Sequence, residues 1–444
     1  MKTLPRIIIL IFAAILIYSC NDSNNNPINN KTAEIDVKIA VFSDPHYFDP
    51  DLGSPGEAFE TARINSRKMI AESEEIINSA VDYILASDVQ IVLIPGDLTK
   101  DGEKSSHEKF AEILKRLTNA GKKVFVIPGN HDISNPEANS YIGADKISTQ
   151  NISPEEFRQI YHDFAYSEAI YKDENSLAYI SEPIPDLWII GMDACRYSEN
   201  TDKHVVGGRF NQESLNWLKE KLIEGRSKGK LMLGMLHHGL LEHFDSQKSN
   251  PVSSEFVLDD YAAISQLFAE SGMNFVFTGH FHANDIVKAE YDNTFIYDIE
   301  TGSLLTYPVP LRYINIIGSK TMEITSKHLQ DVNINTKGKT FQEYAEDYLT
   351  SDLDLFIVDI LNSRFNIDTT IAKELAPVGV GAFTAHYKGD EIITENALNT
   401  IKKYESSDNL AVNLFIYSVE SLYTDLNPQD NSIKIDMRTG TEIK

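Results

Sequence analysis

Five short apolar runs each end in side chains that bind metals. Val37–Ser43 ends in Asp44-Pro45-His46, and Val89–Pro95 in Gly96-Asp97-Leu98-Thr99-Lys100-Asp101. Val124–Pro128 runs into Gly129-Asn130-His131-Asp132, Leu231–Leu236 into His237-His238-Gly239, and Phe275–Gly279 into His280-Phe281-His282. Asp, Asn and His together make an oxygen/nitrogen donor set suited to Mn, Fe or Zn. In an extended chain residues i and i+2 point the same way, so Asp44/His46 and His280/His282 can each act as a two-pronged clamp. A carboxylate has two oxygens, and Asp97 is the candidate to bridge two ions. Asn130 offers a neutral carbonyl oxygen. His237 and His238 are adjacent and point apart, so only one is expected as a ligand.

The surrounding pattern says what must position these groups. Strands are predicted at Val37–Ser43, Val89–Ile94 and Lys123–Ile127, with helical spacing over Glu57–Ala86 and Ser105–Asn119 between them. Such β–α–β alternation predicts an α/β sheet with crossover helices, and ligands of such sheets bind beyond the strands' carboxyl ends. Residues 133–152 read as an irregular excursion. Ser153-Pro154-Glu155-Glu156 carries a capping-box helix start. Further strands are predicted at Leu177–Ser181, Leu187–Met192, Lys230–Leu236 and Asn274–Thr278, with helices from about Gln212 to Glu224 and over Asp259–Glu270. Residues 285–327 read as β-rich, with a hairpin turn at Asp292-Asn293. Beyond residue 330 helical patterns dominate, at Phe341–Leu349, Asp354–Asn362, Thr370–Leu375, Thr394–Tyr404 and Asn409–Asp425.

The ordered series Asp44-x-His46, Gly96-Asp97, Gly129-Asn130-His131-Asp132, His237 and Gly279-His280-x-His282 resembles the calcineurin-like metallophosphoesterase family over about residues 37–330. Within that family, Gly96 to Gly102 and Pro128 to Asp132 look most like bacterial class III cyclic nucleotide phosphodiesterases, some of which carry a helical C-terminal domain. The resemblance implies two facing mixed β-sheets flanked by helices, with a small α-helical C-terminal domain. It implies one metal held by Asp44, His46, Asp97 and His282, and a second held by Asp97, Asn130, His237 and His280. His131 would sit beside the metals as the catalytic residue, with hydroxide bridging two Mn, Fe or Zn ions as the nucleophile. Asp101 or Asp132 would orient neighbouring groups. Purple acid phosphatases place a metal-binding Tyr where this chain has Lys100, which argues against that sub-family. Gly239 stands where many relatives have Pro.

The chain has 444 residues, 42% of them apolar and 24% charged, as a globular protein of more than one domain would. Acidic residues outnumber basic ones 66 to 40, for a formal charge of −26. That field repels nucleic-acid polymers. A small phosphoester such as a nucleotide remains compatible, because two divalent ions outweigh the ligand carboxylates locally. Two cysteines, Cys20 and Cys195, exclude a disulfide scaffold and a Cys₄ site. Lys2 and Arg6 precede an apolar run from Ile7 to Tyr18, about 18 Å long as a helix and shorter than a membrane core. The run ends at Cys20 before an Asn-rich stretch, which resembles a bacterial lipoprotein signal. The expected layout is a signal peptide over 1–20, a polar tether over 21–34, a catalytic domain over 35–330 and a mainly helical domain over 331–444. The mature protein would then be lipid-anchored through Cys20 outside the cytoplasm, with Cys195 a free, buried thiol.

The leading expectation is a metal-dependent phosphodiesterase, with cyclic nucleotides as a candidate substrate. The alternatives are an extracytoplasmic phosphomonoesterase or nucleotidase, and a non-catalytic surface lipoprotein that binds phosphorylated ligands. Loops 133–152, 196–210 and 239–256 flank the strand ends, and Tyr141, Tyr197, His204, Arg209 and Phe244 are candidates to hold substrate. No Gly-x-Ser-x-Gly elbow is present.

Overall fold

Two seven-stranded mixed sheets face each other and bury their apolar sides in a common core. The computed structural model describes residues 34–444 except Ser54, Ala165 and Pro251. The apolar run and Cys20 lie outside the described residues. Thr32–Lys444 holds together as one unit.

At one end of the first sheet, Val37–Val41, Ile91–Pro95 and Lys123–Ile127 run parallel, with Ile39 opposite Ile91 and Ile91 opposite Lys123. In the second sheet Leu187–Gly191, Leu231–Met235 and Phe275–Thr278 are also parallel neighbours. Period-two alternation sets their two faces. Leu233 and Met235 enter the core between the sheets, while Met232 enters an outer core shared with Leu218 and Leu222 of the helix Gln212–Ser227. The helices Ser73–Leu85 and Lys104–Asn119 follow the first two strands of the first sheet, as crossover connections require. The five ligand-bearing segments are thus the carboxyl-terminal continuations of parallel strands. The predicted capping box is present: Ser153 Oγ accepts from Glu156 N, and Glu156 Oε2 accepts from Ser153 N. The hairpin around Asp292-Asn293 joins Ile286–Tyr291 to Thr294–Glu300.

Several elements differ from the sequence expectation. The stretch Glu57–Ala86 is two helices, Glu57–Ser66 and Ser73–Leu85, broken at Arg67 with its φ of 57°. Residues 133–152 contain a hairpin of Asn139–Ile142 against Asp145–Ser148. Phe341–Ser363 is one continuous helix, since residues 350–353 hold neither Gly nor Pro to end it. Thr369–Lys388 continues through Pro377. Pro377 is exposed, so the carbonyl it leaves unbonded is open to water, while Ala376, Val378, Gly379 and Ala382 pack inward. With Glu395–Tyr404 and Leu410–Leu422 these helices build a core of their own, into which Phe244 and Phe281 project from the loops that follow Leu231–Met235 and Phe275–Thr278. The chain then returns to the first sheet. Ser432–Asp436 pairs antiparallel with Thr321–His328, with Ile433 opposite Ile324.

Candidate metal centre

Asp44, His46, Asp97, Asn130, His237, His280 and His282 are all buried, and they converge at one rim between the sheets. Asp44, His46 and His282 form one group of donor atoms, and Asp97, His237 and His280 a second. His46 Nε2 lies 3.2 Å from His282 Nε2 and 3.6 Å from Asp97 Oδ2. His282 Nε2 is 3.5 Å from Asp44 Oδ1. On the other side His237 Nε2 lies 3.0 Å from Asn130 Oδ1 and 3.4 Å from Asp97 Oδ1. Asp97 therefore turns one oxygen toward each group, as a bridging carboxylate must.

The backbone that makes this convergence is not extended. Asp44, His46, Asp97, His280 and His282 all have positive φ, between 36° and 79°. Each such residue costs about 1–3 kcal/mol and persists only where its surroundings hold it. The extended backbone expected for two-pronged clamps is therefore not present, although Asp44 and His46 still share one donor group. His280 and His282 instead divide between the two donor groups. Glycines allow the close approach. A Cβ on Gly129 would collide with the Asp97 carboxylate and backbone nitrogen, and one on Gly279 with Ser43 Oγ and Asp44 Oδ2.

The electrostatics suit cations. Burial alone would raise the Asp97 carboxyl, but the imidazoles of His237, His131 and His46 outweigh it and hold Asp97 well below the ordinary carboxylate range. Burial pushes His46 and His280 well below the ordinary imidazole value, which leaves them as neutral lone-pair donors. Burial also opposes charge on His237, but Asp97 prevails and lifts it to about 9. His237 Nδ1–H donates to the Pro95 carbonyl at 2.9 Å, leaving Nε2 to face Asn130 and Asp97. His46 Nδ1 and His280 Nε2 are buried without a hydrogen-bond partner. Two carboxylates, an amide oxygen and four imidazoles, with unpartnered nitrogens among them, fit a pair of divalent ions.

His131 is beside this set and outside it. Its backbone N–H donates to Asp97 Oδ1 at 2.9 Å, and its Nδ1 lies 2.9 Å from Asp101 Oδ1. Its side chain is 19% exposed, where the ligands are closed in, and it lines a cavity opening from the centre. Burial lowers the imidazole and Asp97 works against that shift. Asp132, by contrast, is bonded to backbone. It accepts from the backbone of Leu98, Thr99 and Gly129 and so ties the second and third ligand loops together. Lys100 pairs with Asp101 rather than joining a donor group. His238 Nε2 bonds the Val206 carbonyl, and His243 lies between Asp285 and Asp298, so neither belongs to the centre. The loop at Gly239 is held by its N–H to the Phe256 carbonyl.

A family model described as calcineurin-like phosphoesterase matches residues 37–284. The chain belongs to that family. It is a phosphoesterase by family, with two candidate ligand clusters for a dimetal site. A solved dimetal phosphatase from Danio rerio is 15% identical with a TM-score of 0.47, covering 66% of this chain and 96% of that one. A purple acid phosphatase from yellow lupin seeds is 10% identical at a TM-score of 0.42, covering 70% and 53%. A Staphylococcus aureus protein assigned as a 5′-nucleotidase is 14% identical at 0.40, covering 72% and 59%. Among curated proteins none matches.

Of the substrate-contact candidates, Tyr141, His204 and Phe244 line the cavity. The His204 ring lies 4.3 Å from that of His131, and His204 Nδ1 pairs with Glu137 Oε2 at 2.6 Å. Tyr197 bonds Asp193 and Arg209 pairs with Glu199 away from the cavity. The sequence reading missed Arg67, Lys68 and Tyr387, which line the cavity beside the ligands. The first two are exposed to it by the helix break at Arg67, and Asn65-Ser66 ahead of that break was the available signal. Cys195 is half-buried rather than buried, and its thiol donates to the Pro128 carbonyl. No helix among the described residues is long and apolar enough to cross a membrane.

Proposed function

We propose that this chain hydrolyses phosphodiesters at a centre of two divalent ions, Mn, Fe or Zn. The observation that carries the reading is Asp97 turned toward two donor groups at once, with His131 locked beside it on the cavity side. Asp44, His46, Asp97 and His282 would hold one ion, and Asp97, Asn130, His237 and His280 the other. Ions so held lower the pKa of bound water and neutralise phosphoryl oxygens.

The chain's own residues supply the rest. Asp101 fixes the His131 ring through Nδ1 and leaves Nε2 to carry a proton to the leaving oxygen. His204 packs against that ring at a tilt. Lys68 and Lys100 place two ammonium groups at the cavity wall, where a phosphoryl anion gains from them. The cavity is lined by the hairpin residues Tyr141 and Lys146 and also by Phe356 and Tyr387. That gives room for a substituent on each of two ester oxygens, which supports a diester over a monoester. A lipid anchor on Cys20 outside the cytoplasm is part of the same proposal and rests on the sequence of residues 1–33 alone.

The test is a parallel assay of bis-p-nitrophenyl phosphate and p-nitrophenyl phosphate with Mn, Fe or Zn supplied. The diester is expected to have the larger kcat/KM, by about tenfold or more. A faster monoester would make the protein a phosphomonoesterase or nucleotidase. Hydrolysis of neither would favour the binding-protein alternative.

A further inference from the structure

The cavity that opens from the metal centre does not end there. Its volume is about 580 Å³, and the C-terminal helices wall its far side. Leu353, Ile360 and Phe365 face it from the first helix and the turn after it, Phe383 from the second, and Leu414 and Phe415 from the last. Those helices contribute no charged side chain to the wall, and only Tyr387 and Ser418 among polar ones. Packed interiors leave few voids larger than a water molecule, and a cavity stretch with apolar walls suits apolar guests. A four-helix cap that existed only to be stable would close such a space.

The junction between the two ends is specific. The Arg67 guanidinium sits 4.0 Å over the Phe356 ring, and the Tyr387 ring lies 6.2 Å from that of His282. Lys68, the residue after the helix break, is half-buried at the same place. The Phe256 ring lies 4.9 Å from that of His280, tilted to it, and meets Phe281 edge-on at 4.6 Å, and Phe281 itself faces Phe383. One continuous space therefore passes from cation-binding side chains, through a collar of two basic residues, into an aliphatic and aromatic chamber. That sequence of surfaces is complementary to one kind of molecule, an anionic phosphoester followed by a long hydrocarbon chain.

We propose that the substrate is an amphiphilic phosphoester whose single aliphatic tail lies in the chamber walled by the C-terminal helices, while its phosphate lies between the metal ligands and the Arg67–Lys68 collar. The proposal rests on the phosphodiesterase reading above and names its substrate class. The reaction is hydrolysis: water adds to phosphorus, the bond to the leaving oxygen breaks, and that oxygen takes the proton.

The test uses the full chain, metal-loaded, on alkyl p-nitrophenyl phosphates with methyl, butyl, octyl and dodecyl tails, each below its micelle concentration. Burying a methylene raises kcat/KM by at most about fourfold. A rise of about a hundredfold or more from methyl to octyl is expected. Leu414→Trp, which fills part of the chamber with apolar volume, should move the optimum to shorter tails, with a thermal melt showing that it folds. A series flat in chain length, with the methyl ester still turned over, overturns the tail proposal and leaves the hydrolase reading standing. If no ester is cleaved at all, the hydrolase reading fails. Calorimetric binding of dodecylphosphonate against methylphosphonate then decides the chamber: a tighter dodecyl ligand, by about a hundredfold, supports it, and equal affinities overturn it.

Discussion

Two buried clusters of carboxylates and imidazoles lie within this protein, and they solve the burial of charge in opposite ways. In the candidate metal centre Asp97 is held down, and His46 and His280 are pushed down. The second cluster lies where the C-terminal helices meet the second sheet. It holds Asp285, Asp298, Glu300, Glu391 and Asp430 with His243, His386 and Arg312. There burial pushes Glu300 well up, and Asp430 up to about 9. Asp298 accepts from the backbone of Leu240 and Leu241, Asp430 from Ile286 and Asp390, and Glu300 from Ala283. Arg312 donates to the carbonyls of Glu300, Asp285 and Asp430. Asp285, His386 and Glu391 come within ion-binding reach of one another, but His386 Nδ1 and Glu391 Oε1 are already paired at 2.5 Å. The same residue types thus make a candidate ligand set where strained strand ends aim carboxylates and imidazoles at one another, and a clasp where Arg312 and backbone donors bind the carboxyl groups, with His243 and one atom each of Asp285, His386 and Glu391 left without a hydrogen-bond partner.

The largest expected effect falls on the first cluster. His131→Ala should lower kcat by about 10²- to 10⁴-fold while metal content stays that of the wild type, because His131 is outside both donor groups. Steady-state kinetics with elemental analysis check this, and loss of metal along with activity would put His131 inside the ligand set. The next effect falls on the clasp. Arg312→Met should cost about 3–5 kcal/mol of stability in urea unfolding, since it leaves buried acceptors and carboxylates without their cation. An unchanged midpoint would show that the clasp does not hold the C-terminal helices to the sheet.

The third effect is a pH slope. The Asp430 carboxyl titrates near about 4 in the unfolded chain and near about 9 in the folded one. Between those values the native state keeps a proton that the unfolded state has lost, so this group's contribution is full at low pH and falls as pH rises through that window. Asp430→Asn should flatten the decline by up to about 1.4 kcal/mol per pH unit. Urea titrations at several pH values between about 5 and 8 measure it, and parallel slopes in the two proteins would contradict the assignment.

Most of the metal centre was legible in the sequence because each ligand directly follows an apolar strand, and parallel strands bring their carboxyl ends to one rim. The structure places Asp97 between the two donor groups and puts His237, not His238, in one of them. The backbone shape at those ends was not legible, since positive φ at Asp44, His46, His280 and His282 is imposed by tertiary contacts such as Ser303 Oγ on the Asp44 carbonyl. The break at Arg67 was marked only by Asn65-Ser66, with neither Gly nor Pro, and missing it also missed the basic collar. The clasp was invisible for another reason. Its members are spread from His243 to Asp430, and Ser432–Asp436 joins a sheet whose neighbouring strand lies a whole helical region earlier in the chain.

The account stands on two ions sharing Asp97, and counting metal tests that most directly. Elemental analysis of purified protein supplied with Mn, Fe or Zn should give about two ions per chain, and Asp97→Asn should lose both together with hydrolysis. An Asp97→Asn protein that keeps two ions and wild-type turnover, or a wild-type protein that retains none, would contradict it.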